Sequence, residues 1–319
     1  MKILVLHHTD LDGAMSAAVV GMKYRNDQVF YKLYNYGWKI EPKDLQGYDL
    51  IYAVDISFFQ GGYDWVYKTP GLIAIDHHIG AIKKEESPEF SWVKTVPGIR
   101  VSENKGACEL TWEYLFPDSP KPELLVYLST YDVWDKNRLN WNTVEEVEFG
   151  AKYYFGLSPE AIIRFIETGQ NLEKLRKTGY TLLCSMEKSN RGKLGSNGFY
   201  IHNFYGYRLL ALNTPDFSSM SFSSYYNPRY FDIMMPFNIV PDSKKGYGEV
   251  YVRASLYTEN PEIDVSCIAE RFGGSGHRGA SGFTMSLEIL KELLSCSCPL
   301  KDYLQSVGFE GNRPKRTTI

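Results

Sequence analysis

The sequence predicts an α/β protein with a largely parallel, doubly wound N-terminal sheet, a helical linker and a smaller mixed-sheet α+β C-terminal domain. Three observations support this fold class. Three short apolar runs in the first 80 residues each end in acidic or histidine residues, helical periodicity follows, and strand-like runs separated by turn residues begin after Gly192. At ~150 residues per domain, 319 residues suggest two domains.

Continuous apolar runs predict the N-terminal strands at residues 2–6, 50–54 and 72–75. Strands that are apolar at every position are typical of parallel sheets covered on both faces. A further strand is predicted at 31–36. Small and apolar residues over 13–24 predict a helix after the first strand, which gives the alternating β/α order of such sheets.

The rest of the chain divides by pattern into a helical part and a strand-rich part. We predict an N-terminal domain over 1–156, a helical linker over 157–193, a C-terminal domain over 194–310 and a tail over 311–319. Helices are predicted at 106–116, 123–131, 143–155, 159–167, 172–188, 264–272 and 287–294, and strands at 199–203, 208–213, 231–240, 249–257 and 283–285.

Composition excludes several classes of protein. Hydrophobic residues make up 44% and charged residues 23%, and the net charge is −3, as in ordinary globular proteins. No bulk basic surface is present, so we do not expect tracking along long nucleic acid. No apolar run reaches the ~18–20 residues of a membrane span. Five scattered cysteines fit a reducing compartment, and we expect a cytoplasmic protein. The oligomeric state stays open, a homodimer included.

The chemistry lies at the ends of the three N-terminal strands, where acids and four of the six histidines gather. Ligands of open α/β sheets bind at this edge. Several carboxylates in one crevice repel each other, and divalent cations relieve that repulsion. Mixed carboxylate and imidazole ligands favour two ions such as Mn²⁺, with Mg²⁺, Co²⁺ and Zn²⁺ as alternatives. The residues concerned are His8, Asp10, Asp12, Asp55, Asp76, His77 and His78.

Simpler interpretations exist for the individual residues. Asp10 or Asp12 alone is typical of a helix N-cap. The glycine-rich segment 273–282, taken alone, is equally a plain turn. Beside a metal cluster it becomes a candidate phosphate clamp, because glycines let backbone N–H groups approach a phosphate.

These motifs resemble the DHH phosphoesterase superfamily. The resemblance rests on the segment 8–13 (His-Thr-Asp-Leu-Asp-Gly), on Asp55 and on Asp76-His77-His78. The segment 273–282 (Gly-Gly-Ser-Gly-His-Arg-Gly-Ala-Ser-Gly) is similar to the signature of the DHH-associated C-terminal domain. The segment 131–134 (Tyr-Asp-Val-Trp) is most similar to the nano-RNase B branch, which contains oligoribonucleases and cyclic-nucleotide phosphodiesterases.

The resemblance implies a role for each matching position. His8, Asp10 and Asp55 would hold one metal ion. Asp12, Asp55, His77 and Asp132 would hold the second, with Asp135 as the alternative to Asp132. The implied catalytic residues are Asp55, His77 and His78, and the implied substrate-binding residues are Arg253, Gly273, Gly274, Gly276, His277 and Arg278.

Two departures from the family pattern concern substrate binding. Ser275 stands where a third consecutive glycine is usual, and it would obstruct a backbone approach if its φ were positive. Arg253 is either a shifted equivalent of a phosphate-binding arginine, whose place Tyr257 takes by spacing, or a solvent-facing strand residue.

The function expected from these features is metal-dependent hydrolysis of short oligoribonucleotides or small nucleotide phosphodiesters to nucleoside monophosphates. Hydrolysis of 3′-phosphoadenosine 5′-phosphate or of cyclic mono- or dinucleotides is the enzymatic alternative. The second alternative is a catalytically weak protein that holds metal and binds nucleotides. A phosphatase with Asp10 as nucleophile is also conceivable, but it leaves Asp76-His77-His78 unexplained.

Overall fold

A computed structural model describes residues 1–35, 38–101, 104–241 and 250–312, apart from the side chains of Gln60, Ser275 and His277. The chain divides into two compact units, Met1–Leu182 and Leu183–Ile319. Within the described ranges, no helix combines the length and the apolar character needed to cross a lipid bilayer.

The first unit contains a four-stranded sheet in which every strand pair is parallel. Its strands are β1 (Lys2–His7), β2 (Gln28–Leu33), β3 (Leu50–Val54) and β4 (Leu72–Ile75), in the order β2-β1-β3-β4. The chain leaves β1 towards β2 on one side and then returns to β3 on the other side. This reversal between β1 and β3 is the point at which open α/β sheets bind ligands.

Both faces of this sheet are covered, which explains the continuous apolar runs. Ile3 and Val5 of β1 pack on one face with the α-helices of the unit. Leu4 and Leu6 pack on the other face, with Phe58 and other residues of the connections after β2 and β3. The predicted doubly wound α/β class is therefore confirmed for this unit.

Among the described residues, six α-helices lie within the first unit, and a seventh spans the boundary at residue 182. Short 3₁₀ helices at Pro42–Leu45, Gln60–Gly62, Asp64–Lys68 and Ser91–Thr95 occupy the connections around β3 and β4. The α-helices are α1 (Leu11–Lys23), α2 (Ile79–Glu85), α3 (Ala107–Leu115), α4 (Glu123–Asp132), α5 (Trp141–Phe155), α6 (Pro159–Glu167) and α7 (Glu173–Asn197).

The second unit is built on a mixed seven-stranded sheet, as the α+β prediction requires. Its order is β11-β5-β6-β7-β8-β10-β9, and β6 and β7 are its parallel pair. The strands are β5 (Gly198–Phe204), β6 (Tyr207–Asn213), β7 (Ile233–Pro241), β8 (Val250–Tyr257), β9 (Ser275–His277), β10 (Ala280–Met285) and β11 (Ser297–Pro299). The helices are α8 (Ser266–Glu270), α9 (Leu287–Ser295) and α10 (Leu300–Ser306), with a 3₁₀ turn at Ser219–Phe222.

Several elements differ from the sequence predictions. Helices α2 and α10 and strand β11 were not predicted, and α7 extends to Asn197 instead of ending at 188. The strand predicted at 31–36 begins earlier, at Gln28, because β2 pairs with β1 from Lys2 onwards. The helix predicted at 264–272 is shorter, because the Asp264 carboxylate accepts hydrogen bonds from the backbone N–H and the hydroxyl of Ser266 and so forms a turn. The segment predicted as a glycine-rich loop is a hairpin in which β9 pairs antiparallel with β10.

Candidate metal centre

The carboxyl ends of β1, β3 and β4 bring the predicted acids and histidines together. Asp10 follows β1, Asp55 follows β3 directly, and Asp76-His77-His78 follows β4 directly. Since parallel strands end at the same edge of a sheet, these side chains meet around the point where the strand order reverses. Asp132, the last residue of α4, reaches the same place.

The first group consists of His8, Asp10 and Asp55. Nδ1 of His8 lies 2.5 Å from Oδ2 of Asp10 and 3.6 Å from Oδ2 of Asp55. One ligand atom from each residue falls within 4.8 Å of the others, which is a spacing that could hold one metal ion. The structure thus brings together the three residues predicted for the first metal.

The second group consists of Asp12, His77 and Asp132. Nε2 of His77 lies 3.8 Å from Oδ2 of Asp12 and 3.2 Å from Oδ2 of Asp132. These three residues also have ligand atoms within 4.8 Å of one another. Nε2 of His77 is in addition 3.3 Å from Oδ1 of Asp55, so Asp55 contacts both groups.

Asp55 has the least favourable surroundings for a negative charge. The residue is 1% exposed, and neither carboxylate oxygen has a hydrogen-bond partner among the described residues. Its backbone is left-handed, with φ of 61°. A strained backbone of this kind costs about 1–3 kcal/mol and is typical of functional sites. A buried carboxylate that lacks hydrogen bonds within the described part of the chain and has histidines at 3.3–3.8 Å beside it is the feature of this structure that fits a bound cation best.

Asp10 is both a helix cap and a candidate ligand. Its Oδ1 accepts a hydrogen bond from the N–H of Gly13 at 2.9 Å, which caps α1, while Oδ2 faces His8. A Cβ at Gly13 would lie 2.7 Å from the backbone N and O of His8. Glycine at this position therefore allows α1 to start directly against the end of β1.

Asp12 is held by the beginning of α3. The N–H of Ala107 donates to Oδ2 at 2.6 Å, and that of Cys108 donates to Oδ1 at 3.0 Å. Gly106, the N-cap of α3, leaves no room for a Cβ, which would lie 2.7 Å from Oδ1 of Asp12. The sequence did not lead us to predict that these backbone amides bind Asp12. The signal for them in the sequence is Gly106, a possible N-cap directly before a helical pattern.

The charges of the centre are unevenly balanced. Burial raises the pKa of the Asp55 carboxyl well above its usual range, and the charge of Asp12 adds to the rise. Burial also raises the pKa of Asp12 and of Asp132, the latter with the charges of Asp12 and Asp55 adding to it. If all these carboxyls were ionised, their negative charge would exceed what the neighbouring histidines compensate, and divalent cations relieve that condition.

His8 and Asp10 form an opposite-charge pair within this cluster. Burial opposes the charged form of His8, but its closeness to Asp10 and Asp55 outweighs this and raises the pKa of His8 to about 10. Burial likewise opposes the ionised form of Asp10, but His8 outweighs it and lowers the pKa of Asp10 to about 2. The raised pKa of His8 thus shows that this position favours a positive charge next to Asp10 and Asp55.

His78 and Asp76 form the third predicted contact at this edge. Nδ1 of His78 is 2.7 Å from Oδ1 of Asp76, which also accepts the N–H of His77 at 2.9 Å. This bond orients His78, whose side chain remains 35% exposed and lies 3.8 Å from Asp55. His7 lies apart from this arrangement, buried with Nδ1 against the carbonyl of His8.

The structure distinguishes the two acids near the end of α4. Asp132 contacts His77, as described above. Asp135 turns elsewhere, and its carboxylate accepts hydrogen bonds from Nδ2 of Asn104 at 2.6 Å and from the N–H of Asn137 at 3.1 Å. Asp132 is therefore the residue that joins the cluster.

In the second unit, the predicted substrate-binding glycines form the tight hairpin of β9 and β10. A Cβ at Gly274 would lie 2.2 Å from the carbonyl oxygen of Gly282, and one at Gly276 would lie 2.4 Å from Cα of Ser281. Gly273 is the third of these glycines and has φ of 71°. These positions thus have a structural requirement for glycine, which does not depend on a ligand.

The polar residues predicted beside these glycines are placed as follows. Arg278 is exposed, and its Nε donates to the carbonyl of Pro261 at 2.7 Å. Arg253 is exposed, with its guanidinium 4.4 Å from the ring centre of Phe217. The side chains of His277 and Ser275 lie outside the described part of the chain, although both belong to the extended strand β9.

Comparison with known proteins adds one sequence relative. No protein-family profile matches the sequence. The uncharacterized protein R106 of Acanthamoeba polyphaga mimivirus is 30% identical over 222 residues, which cover 67% of this chain and 48% of the relative. The chain therefore spans about half the length of the curated relative it matches.

Solved structures resemble the whole chain. A DHH domain from a member of the S1p family of ribosomal proteins aligns over 98% of this chain and 87% of its own, with 13% identity and a TM-score of 0.58. An exopolyphosphatase-related protein from Bacteroides fragilis aligns over 96% and 93%, with 16% identity and a TM-score of 0.54. A pGpG-specific phosphodiesterase, PggH, from Vibrio cholerae aligns over 96% and 99%, with 13% identity and a TM-score of 0.50.

Proposed function

We propose, from the premise that this chain has the fold of the DHH phosphoesterase superfamily, that it is a metal-dependent phosphoesterase. The resemblance predicted from the motifs is confirmed at the level of the fold, while the nano-RNase B branch stays a prediction. The observation that carries the proposal is Asp55, a buried carboxylate without hydrogen-bond partners among the described residues, surrounded by three histidines and further acids. That donor set fits divalent cations.

In this proposal the two groups of the centre each hold one ion. His8, Asp10 and Asp55 would hold the first, and Asp12, His77 and Asp132 would hold the second, with Asp55 shared between them. Divalent ions in such a pair stabilise charge on phosphoryl oxygens and lower the pKa of water. We expect Mn²⁺ to serve best, because oxygen and nitrogen donors are mixed here.

Residues around the centre hold its side chains in position. Asp76 fixes the ring of His78 through its 2.7 Å contact, and we assign this partly exposed ring the role of facing the substrate phosphate. The amides of α3 fix Asp12, and the N–H of Gly13 fixes Asp10. A substrate would therefore meet carboxylates whose geometry is set before it binds, which is the main requirement for electrostatic catalysis.

The proposed substrates are short oligoribonucleotides or small nucleotide phosphodiesters, cleaved to nucleoside monophosphates. A net charge of −3 argues against long nucleic acid as a partner. The similarity of the fold to a pGpG-specific phosphodiesterase supports a small nucleotide substrate. In the second unit we propose Gly273, Gly274, Gly276, His277 and Arg278, together with Arg253, as contacts to the substrate.

The test is a substrate panel with Mn²⁺, comparing wild type with Asp55→Asn and Asp135→Asn. The panel contains di- and pentaribonucleotides, pGpG, cyclic mono- and dinucleotides, 3′-phosphoadenosine 5′-phosphate and pyrophosphate. We expect turnover of the short ribonucleotides, its near-complete loss in Asp55→Asn, and wild-type rates in Asp135→Asn, whose carboxylate lies outside the cluster.

Each contrary outcome has a distinct meaning. Near-normal turnover in Asp55→Asn contradicts the shared-ligand assignment. Preference for the adenosine bisphosphate or for cyclic nucleotides supports the enzymatic alternative. Tight dinucleotide binding without product after long incubation supports the metal-holding binding protein instead.

A further inference from the structure

Three aromatic side chains beside the metal centre have no explanation in the packing of the core. Tyr131, Trp134 and Trp141, which we call the aromatic platform, lie outside the four buried apolar clusters formed by the described residues. Trp134 is 47% exposed. A large aromatic ring that faces solvent buries little apolar area, and it is typical of binding surfaces rather than of cores.

The platform is rigidly built. The rings of Tyr131 and Trp141 are parallel within 6°, with centres 5.7 Å apart. Trp134 stands edge-on to both, 5.6 Å from Tyr131 and 4.7 Å from Trp141. The exposed ring is thus supported on two sides, so its orientation is set before any ligand arrives.

The backbone of Trp134 is strained. Its φ is 57°, a left-handed conformation that is a clear outlier for a bulky residue. The N–H groups of Val133 and Trp134 donate to Ser129 and Tyr131, so the end of α4 holds the chain in this turn. Strain of about 1–3 kcal/mol is retained where the surrounding structure and the function require it.

The platform adjoins the metal centre through the chain itself. Tyr131 and Trp134 flank Asp132, whose carboxylate lies 3.2 Å from His77. Two of the rings thus lie within four residues of chain that also contain the candidate ligand Asp132, at the end of α4. Bases stack on aromatic side chains whatever their sequence, since every base has a π-face.

A positive charge accompanies the rings. Nζ of Lys136 lies 5.0 Å from the ring centre of Trp134 and 5.7 Å from that of Trp141. Within the described ranges no carboxylate forms an ion pair with Lys136, so its charge is available to an anionic ligand. A base next to a phosphate combines the two features that this surface offers.

We propose that the aromatic platform is a base-stacking subsite, in which Trp134 contacts a nucleobase and Lys136 a neighbouring phosphate. The inference rests on the proposed function for the position of the reacting phosphate. It adds the residues that make the centre prefer nucleotides over phosphate compounds without a base.

The test compares Trp134→Leu and Trp134→Phe with wild type, using an adenine dinucleotide and its counterparts with an abasic ribose on either side of the phosphodiester. Trp92→Leu is the matched control, because Trp92 also lies under a lysine, 4.6 Å from Nζ of Lys68, but packs on the other face of the sheet. Affinity is measured with Mn²⁺ by calorimetry on analogues of these compounds with a methylene group in place of the scissile oxygen, which cannot be hydrolysed there. Turnover of the phosphodiesters themselves is followed separately.

We expect Trp134→Leu to weaken binding of the adenine dinucleotide by about 10- to 100-fold, as expected for one lost stacking partner. Binding of the counterpart that lacks the stacked base should change less than about 2-fold, because it has no such contact to lose. Trp134→Phe should retain most of the affinity, and Trp92→Leu should bind both compounds as wild type does.

Equal losses for the base-carrying dinucleotide and both abasic compounds would overturn the proposal, because they would indicate a purely structural role. Unchanged affinity in Trp134→Leu, or no binding of the dinucleotide to wild type, would overturn it as well. Failure of the proposed function is detected separately, because the wild type would then turn over none of the compounds. The ratio of the affinities of Trp134→Leu and wild type for the dinucleotide would still show whether the base-stacking subsite exists.

Discussion

Glu109→Gln should markedly destabilise the first unit, since Glu109 is a buried carboxylate with three partners. Its side chain is 2% exposed. Arg138 donates to both carboxylate oxygens at 2.8 and 2.9 Å, Lys121 to one at 2.6 Å and Ser129 to the other at 2.7 Å. Burial opposes the charge of Glu109, but these donors outweigh it and lower its pKa to about 2.

The size of the stability loss in Glu109→Gln follows from this pKa. A change from 4.5 in the unfolded chain to about 2 in the fold corresponds to about 3 kcal/mol of stability at neutral pH. Because the folded pKa is the lower one, this stability is present above pH 4.5 and is lost as the pH falls towards 2. For a unit of this size, the melting temperature should fall by about 6–12 °C.

The assay is thermal unfolding followed by circular dichroism at pH 7 and at pH 3. Glu113→Gln is the matched control, because Glu113 lies on the same helix and also pairs with Lys121, but its side chain is 32% exposed. That variant should lose less than about 1 kcal/mol. The reasoning is wrong if both variants lose equally at pH 7, or if the deficit of Glu109→Gln does not shrink at pH 3.

Three further predictions concern the metal centre. Asp55→Asn should stabilise the metal-free protein by about 1–3 kcal/mol in chemical denaturation, because it removes a buried carboxylate that has no hydrogen-bond partner among the described residues, and asparagine tolerates a φ of 61°. Lower stability contradicts this. Gly13→Ala should destabilise by about 1–3 kcal/mol and reduce bound Mn²⁺ measured by atomic absorption, because its Cβ would lie 2.7 Å from backbone atoms of His8; full metal content argues against it. The raised pKa values of Asp12, Asp55 and Asp132 mean that the fold favours the protonated forms of these carboxyls. Stability in EDTA should therefore decline as the pH rises from 5 to 8, and Mn²⁺ should restore it. A stability that does not change with pH would refute the repulsion between these carboxylates.

The convergence of the metal centre could be predicted because it depends on simple periodicity. Apolar runs of strand length fix where β1, β3 and β4 end, and the carboxyl ends of parallel strands share one edge. Residues that directly follow a strand, such as Asp55 and His77, need no knowledge of distant packing to be placed there. The sequence therefore predicted that these side chains meet at one edge of the sheet, as the structure shows.

Other features depend on contacts that no local pattern contains. Asp132 and Asp135 are three residues apart, and which of them reaches His77 depends on the left-handed turn at Trp134 and on the bond from Asn104 to Asp135. The start of β2 depends on pairing with β1 rather than on its own residues. The amides that hold Asp12 come from a helix about 95 residues further along the chain.

Helix capping and the proposed metal binding are compatible roles for the acids after β1. Asp10 caps α1 with Oδ1 and keeps Oδ2 towards His8, and Asp12 receives two amides of α3. Helix amides thus orient both carboxylates and offset part of their charge. Asp55 has no such donors among the described residues, so its charge depends most on a cation. For this reason the loss of metal affinity should be larger for Asp55→Asn than for Asp10→Asn, although both residues belong to the same group of ligands.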